Sequence, residues 1–267
     1  MHTHVFMEEE ESKVFAADDR ILLGEGLFET LKVVHGKPCW ADLHWQRLNS
    51  SAQQLGIPFT LPYEHWLQHL VKRIQKDQLV NGGVKAILSG GSAPRGLTQY
   101  GQHSQLVLQS FQFTAQTQAL RLISAPWLRD AANPIYSVKS VNYLEAILAR
   151  RQALTAGADD ALFFNSEHHA TETTCANLFI IQQHALFTPP LTDGVLPGIT
   201  RSRILTFCQQ HHIPCYEQSL TQARIEAAEA VFITNSLQGL QVVRSFAGVN
   251  FILSHPLLER LRSFLTD

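Results

Sequence analysis

Residues 171–181 read Thr-Glu-Thr-Thr-Cys-Ala-Asn-Leu-Phe-Ile-Ile. The apolar, β-branched and aromatic end of this stretch predicts a strand over residues 174–181. Residues 185–188, Ala-Leu-Phe-Thr, follow after a short polar turn, so the two segments read as a hairpin. Glu172 stands where the chain enters this apolar strand, and a carboxylate there needs a cationic or proton-donating partner. A protonated pyridine nitrogen is one such partner. Solvent at the strand end, or an arginine, is the plainer alternative.

Upstream, residues 135–144 read Ile-Tyr-Ser-Val-Lys-Ser-Val-Asn-Tyr-Leu. Lys139 lies there among small and apolar neighbours, at the entry to a helix predicted over residues 142–156. Lysine is scarce: the seven occupy positions 13, 32, 37, 72, 76, 85 and 139, and none falls in residues 140–267. Desolvation lowers a lysine pKa and frees the amine to form a Schiff base. A lysine snorkelling at an ordinary helix start is the competing reading.

Downstream, Leu-Pro-Gly-Ile-Thr-Arg at 196–201 opens a helix predicted over residues 199–211. The amides of Ile199 and Thr200 would point out of its N-terminus, forming either an anion site or a simple capped end. Ile-Thr-Asn-Ser at 233–236 ends a strand in hydroxyl and amide groups, at Asn235 and Ser236. Arg47, in His-Trp-Gln-Arg-Leu on a helix predicted over residues 42–55, carries a planar fork that suits phosphate. Each feature alone has an ordinary structural reading. A lysine, a carboxylate and three phosphate-type elements together name one cofactor, pyridoxal phosphate.

The remaining sequence sets the frame. The chain has 267 residues, 45% hydrophobic and 16% charged, with a formal net charge of −2. It carries no Lys/Arg run, which argues against nucleic-acid binding. The glutamate run at residues 8–11 reads as a solvated edge or turn. Cysteines at 39, 175, 208 and 215 form no Cys-x-x-Cys pair. That is a pattern of reduced thiols rather than of a disulfide frame or zinc site. The N-terminus has no apolar signal region, and no apolar run approaches membrane-spanning length. A soluble cytoplasmic protein is predicted.

Strand and helix patterns alternate: a strand at 27–34, helices at 42–55 and around 66–74, and strands at 84–88 and 105–113. Asp42 is the expected cap of the first helix, and Asn81-Gly82-Gly83 the stop of the second. A polar linker over 113–120 separates a second set: a strand at 120–125, the helix from 142, a strand at 161–164 and the hairpin. The helix from 199, a short helix near 221–228, strands at 231–234 and near 240–246, and a C-terminal helix complete it. Two α/β units are predicted, 1–115 and 120–267, of α+β type rather than a clean parallel Rossmann sheet.

Other motifs fail on inspection. Gly24-Glu25-Gly26 lacks the third glycine of a dinucleotide loop, because position 29 is Glu. No P-loop is present. His65 and His69 lack the adjoining glutamate of a zinc protease, so no metal site is expected.

In order along the chain, the motifs resemble those of the class IV, fold-type IV, family of pyridoxal-phosphate aminotransferases and lyases. The resemblance begins at Asp19-Arg20 and Gly24-Glu25-Gly26-Leu27-Phe28-Glu29-Thr30 and continues through His44-x-x-Arg47-Leu48. It then runs through Lys139-Ser-Val-Asn-Tyr143, Thr171-Glu172 with Asn177-Leu-Phe179, Gly198-Ile199-Thr200-Arg201 and Phe232-Ile-Thr-Asn235-Ser236. Glu25 stands where the family usually has Asp.

The resemblance implies a two-domain fold, a smaller N-terminal α/β domain and a larger pseudobarrel-like C-terminal domain carrying the Schiff-base lysine, with the cofactor between them. It implies that Lys139 forms the Schiff base and moves the proton. Glu172 would face the pyridine nitrogen, and Tyr143 would lie near the ring hydroxyl. Arg47, Ile199, Thr200 and Ser236 would hold the phosphate, with Asn235 close by. The family's usual state implies a homodimer. The form at 171–179, with Thr173 where the family's aminotransferases usually carry Gly, implies a lyase. Such a lyase takes aminodeoxychorismate to 4-aminobenzoate and pyruvate in folate biosynthesis. An aminotransferase acting on D-amino or branched-chain amino acids is the alternative.

Overall fold

A computed structural model describes residues 4–7 and 15–266; the glutamate run at 8–11 lies outside them. The chain forms two compact units. One comprises Met1–Thr114 with Val138–Asn142, the other Ala115–Ser137 with Tyr143–Asp267. The Lys139 segment thus belongs to the first unit, although its position in the sequence lies beyond the 113–120 linker.

The first unit holds β1 (His4–Met7), β2 (Gly26–Val34), β3 (Lys37–Pro38), α1 (Ala41–Leu55), α2 (Tyr63–Lys76), β4 (Gly82–Ser89) and β5 (Gln105–Phe111). Its sheet runs β1-β5-β4-β2-β3. Only the β1–β5 pair is parallel. Leu48 and Ala52 of α1 and Trp66, Leu70 and Ile74 of α2 pack on Leu31, Val84, Ala86 and Leu106 of the sheet. Each such fully buried large side chain contributes about 1.5–3 kcal/mol.

Two boundary expectations are corrected. Asp42 is not the cap of α1: Trp40 takes that place at φ 51° with no side-chain bond, and Asp42 falls in the first turn. Gly82 and Gly83 do not stop α2, which already ends at Lys76; they open β4.

The second unit holds β6 (Leu120–Arg129), α3 (Leu144–Thr155), β7 (Asp160–Asn165), β8 (Ala170–Thr173), β9 (Asn177–Gln182) and β10 (Ala185–Thr188). Then come α4 (Ile199–Gln210), β11 (Cys215–Glu217), α5 (Gln222–Glu226), β12 (Ala230–Asn235), β13 (Gly239–Phe246), β14 (Val249–Asn250) and α6 (Pro256–Thr266). Its sheet runs β11-β10-β9-β12-β13-β6-β7-β8, and β8 pairs back onto β9. The strands from β9 round to β8 therefore close into a barrel. The closing pair is Glu172 with Asn177.

Burial on both faces explains the unbroken apolar run of β9. Leu178 and Ile180 share one core with Val231, Ile233, Val243 and Phe246. Phe179 and Ile181 face the opposite way, onto Phe232 and onto Ile204 and Phe207 of α4. Phe179 and Phe232 stack with centroids 5.0 Å apart. On another side, Ala149 and Ala153 of α3 pack on Ala161 and Phe163.

The strand expected over 174–181 is β9, which starts three residues later at Asn177, and β8 at 170–173 is a further strand that the sequence reading did not foresee. The chain turns between β8 and β9, with the Thr173 N–H donating to the Ala176 carbonyl at 2.9 Å. Residue-by-residue propensity does not reveal this turn, because its residues are as apolar and hydroxylic as a strand. Among the described residues, no helix is long and apolar enough to cross a membrane.

Candidate functional site

In the first unit, the backbone of the Gly24–Phe28 segment carries the Lys139 segment. Phe28 N–H donates to the Lys139 carbonyl at 2.9 Å, and Val141 N–H donates to the Gly26 carbonyl at 3.0 Å. Asn142 Nδ2 donates to the Gly24 carbonyl at 2.7 Å. Gly24 sits at φ +85°, and a Cβ on it would overlap the Asn142 side chain. The glycines that fail as a dinucleotide loop thus have a different task. Gly24 makes room for Asn142 of the lysine-bearing segment, and Gly26 for Ile21 and the Leu88 carbonyl. Lys139 is half-buried, with its Nζ 4.2 Å from the centre of the Phe28 ring.

Beside it lies a buried charged cluster. Arg47 Nε donates to Glu29 Oε1 at 2.8 Å and Arg47 Nη2 to Glu29 Oε2 at 2.6 Å. His44 Nδ1 lies 2.6 Å from the same Oε2. Burial alone would raise the Glu29 pKa, but the Arg47 and His44 charges and hydrogen bonds outweigh it and bring it down to about 2. Burial pushes the His44 pKa down; Glu29 opposes this, and the Arg47 and Lys139 charges reinforce it. The His44 Nε2 is buried with no hydrogen-bond partner. Glu29 fixes the Nε–Nη2 edge of Arg47 in a two-bond fork, so the guanidinium is held in one orientation.

In the second unit, Glu172 sits at the barrel seam. Its Oε2 accepts from the Leu196 N–H at 3.2 Å and from Asn177 Nδ2 at 3.3 Å. Asn177 Nδ2 also reaches the Leu196 carbonyl at 3.0 Å. These bonds tie Glu172 to the chain that enters α4. Gly198, the N-cap of α4, provides no side-chain cap, and a Cβ there would overlap Asn177 Oδ1. The first-turn amides of α4, those of Ile199 and Thr200 among them, are the orphan donors of a helix start. The Thr200 and Thr234 hydroxyls are both buried without a hydrogen-bond partner. Each unmet group costs about 1–3 kcal/mol until something accepts or donates to it. Orphan amides at a helix N-terminus and orphan hydroxyls suit a multiply charged oxyanion, and the residues present fit a phosphate group.

The predicted residues thus fall into two sets. Lys139 and Arg47 lie in the first unit; Glu172, Tyr143, Ile199, Thr200, Asn235 and Ser236 lie in the second. Within the second, Glu172 and the α4 entry share hydrogen bonds. Asn235 Oδ1 accepts from the Leu237 and Gln238 N–H groups at 3.1 and 2.8 Å, so it shapes the turn after β12, where Ser236 lies. Tyr143 is the residue before α3. Reading the sequence missed Glu29, His44, Asn177 and Thr234 as parts of these clusters. The spacing His44-x-x-Arg47 was visible; that both reach Glu29 on β2 was not. Among the described residues, no group of His, Cys, Asp and Glu is placed to hold a metal.

Comparison with known proteins gives the family and the fold. The family profile described as amino-transferase class IV matches residues 26–246. The chain belongs to that family. A crystal structure from Legionella pneumophila subsp. pneumophila str. Philadelphia 1, provisionally named 4-amino-4-deoxychorismate lyase, superposes with a TM-score of 0.97 at 56% identity. That match covers 100% of this chain and 99% of the other. The D-alanine aminotransferase of Bacillus licheniformis is 27% identical over 251 residues, 91% of this chain and 86% of that one. The Escherichia coli branched-chain amino acid aminotransferase structure has the same fold, at TM-score 0.86 and 24% identity, over 96% of this chain and 89% of its own.

Proposed function

We propose that this protein is a pyridoxal-phosphate-dependent lyase converting 4-amino-4-deoxychorismate to 4-aminobenzoate and pyruvate, a step of folate biosynthesis. One observation carries the choice of reaction: the likeness at 56% identity, along the whole chain, to a Legionella protein provisionally named for it. Membership of the class IV family and the phosphate-type groups of the second unit support the cofactor.

Pyridoxal phosphate, when bound, supplies an electron sink for the pair left by proton removal. The residues of this chain do the rest. Arg47, the Ile199 and Thr200 amides, the Thr200 hydroxyl and Ser236 would hold the phosphate, and Asn235 shapes the turn in which Ser236 lies. Tyr143 would lie by the ring hydroxyl, and Glu172 would face the ring nitrogen and keep the proton on it. Lys139 would hold the cofactor through its Nζ and would act as the base at the ring carbon bearing the substrate amine. The enolpyruvyl C–O bond then breaks, and the departing enol takes up a proton to become pyruvate. One proton is removed and one returned, so the reaction balances without water or oxidant. The product ring is aromatic, which drives the step forward.

The family's aminotransferase activity is the second reading, favoured by relatives such as the D-alanine aminotransferase. The two part on one test. A lyase forms pyruvate and 4-aminobenzoate in equal amounts with no keto acid added, and leaves the cofactor in its aldehyde form. An aminotransferase given an amino acid alone converts the cofactor to its amine form. That conversion at a rate matching turnover, without 4-aminobenzoate, would overturn the lyase reading.

A further inference from the structure

The mechanism above makes no use of Arg129, a buried cation of the second unit. Arg129 ends β6 and is 5% exposed. The β6–β7 pairing slips between Ser124 and Leu128, just before it. Such a bulge re-aims the side chains that follow. The guanidinium carbon lies 3.6 Å from the centre of the Phe163 ring and 4.6 Å from that of Tyr136. Held between two rings, it has little freedom to turn. Its Nη1 lies 3.3 Å from Glu172 Oε1, and its Nε donates to Glu145 Oε2 at 3.0 Å. Glu145 is held in turn by Trp127 Nε1 at 3.0 Å and the Tyr136 hydroxyl at 3.3 Å. Asn177 Nδ2 and the Leu196 N–H approach Glu172 through its other oxygen.

A carboxylate that is largely withdrawn from water needs a cation or strong donors to stay charged and aimed. A guanidinium stacked between two rings and braced by a second carboxylate offers both charge and fixed direction. We propose that Arg129 is a positioning residue: it fixes the Glu172 carboxylate as an oriented anion, so that the cofactor ring nitrogen keeps its proton. This rests on the reading of Glu172 given under the proposed function. Glu145 is a counterweight that shares the guanidinium. It stands in the first turn of α3, just after Tyr143, so Arg129 also links that helix entry to the barrel seam.

The test uses the holoenzyme reconstituted with pyridoxal phosphate labelled with nitrogen-15 in the ring, read by NMR. A cofactor dissociation constant is measured alongside. Wild type is expected to give the protonated-ring signal. Arg129→Gln should move it toward the neutral-ring position and weaken cofactor binding roughly ten- to a hundredfold. Glu172→Gln should do the same. In the double variant the second change should add almost nothing, because the two act through one interaction. Arg129→Lys, which keeps the charge, should retain most of the protonated-ring signal, and it serves if Arg129→Gln does not fold. Equal, additive losses in both backgrounds would overturn the proposal, as would a folded Arg129→Lys with the neutral-ring signal. A wild type that binds no pyridoxal phosphate would instead overturn the reading of the site itself.

Discussion

Backbone hydrogen bonds with β2 hold the Lys139 segment whatever its side chain is. Lys139→Ala should therefore fold normally, yet lose turnover and the visible absorbance of the lysine-bound cofactor; circular dichroism and an absorbance spectrum check both. Glu172→Gln should still bind cofactor while turnover falls by at least about a hundredfold, since an amide cannot balance a protonated ring nitrogen. An unchanged rate would mean that Glu172 faces elsewhere.

Glu29 gives a pH prediction at the same scale. Its folded pKa, about 2, lies below the ordinary value of 4.5. Its stabilising effect is thus present above pH 4.5 and is lost as pH falls toward 2. His44, lowered from 6.5, acts in the same sense, resisting the charge that acid would give it below that value. Glu29→Gln should cost about 3–5 kcal/mol near pH 7, by leaving the Arg47 charge uncompensated. The gap to wild type should narrow between pH 4.5 and 3. Urea midpoints of both proteins at pH 7 and pH 3 measure it.

At the scale of elements, the turn into α4 is the sharpest constraint. Gly198 leaves no room for a Cβ beside Asn177, and Asn177 and Leu196 both hold Glu172. Gly198→Ala should push Asn177 aside, weakening cofactor binding and lowering stability by about 1–3 kcal/mol. Thermal melts with and without pyridoxal phosphate separate the two effects. This coupling was hard to read in advance. Leu-Pro-Gly-Ile-Thr-Arg announces a helix start, and Thr-Glu an acidic strand entry, but 24 residues separate Glu172 from Leu196. Only barrel closure joins them. In the first unit, Gly24 and Asn142 likewise meet across a sequence separation of 118. The sequence located α1, α3 and α4 to within about two residues, α1 by its apolar face at helical spacing and α4 by its Leu-Pro-Gly-Ile-Thr-Arg start. It missed β8 and started β9 three residues early, because the turn at 174–176 carries no Gly or Pro.

At the scale of the whole molecule, the alternation of α and β elements was legible from composition and period. The closure of the second sheet was not, since parallel pairings such as β6–β7 and β6–β13 join segments far apart in the chain. We propose that the chain is a homodimer. In support, α3 keeps Leu144, Ile147, Leu148 and Leu154 exposed, and an apolar stripe of this kind calls for cover. Light scattering should give twice the 29.9 kDa chain mass, and Leu148→Glu should shift that toward a single chain.

The central claim is the reaction. Purified protein with pyridoxal phosphate is given 4-amino-4-deoxychorismate, with Lys139→Ala in parallel, and 4-aminobenzoate is measured. The lyase account predicts product from the wild type alone, with one pyruvate for each 4-aminobenzoate. No product from wild-type protein that visibly holds its cofactor would contradict it.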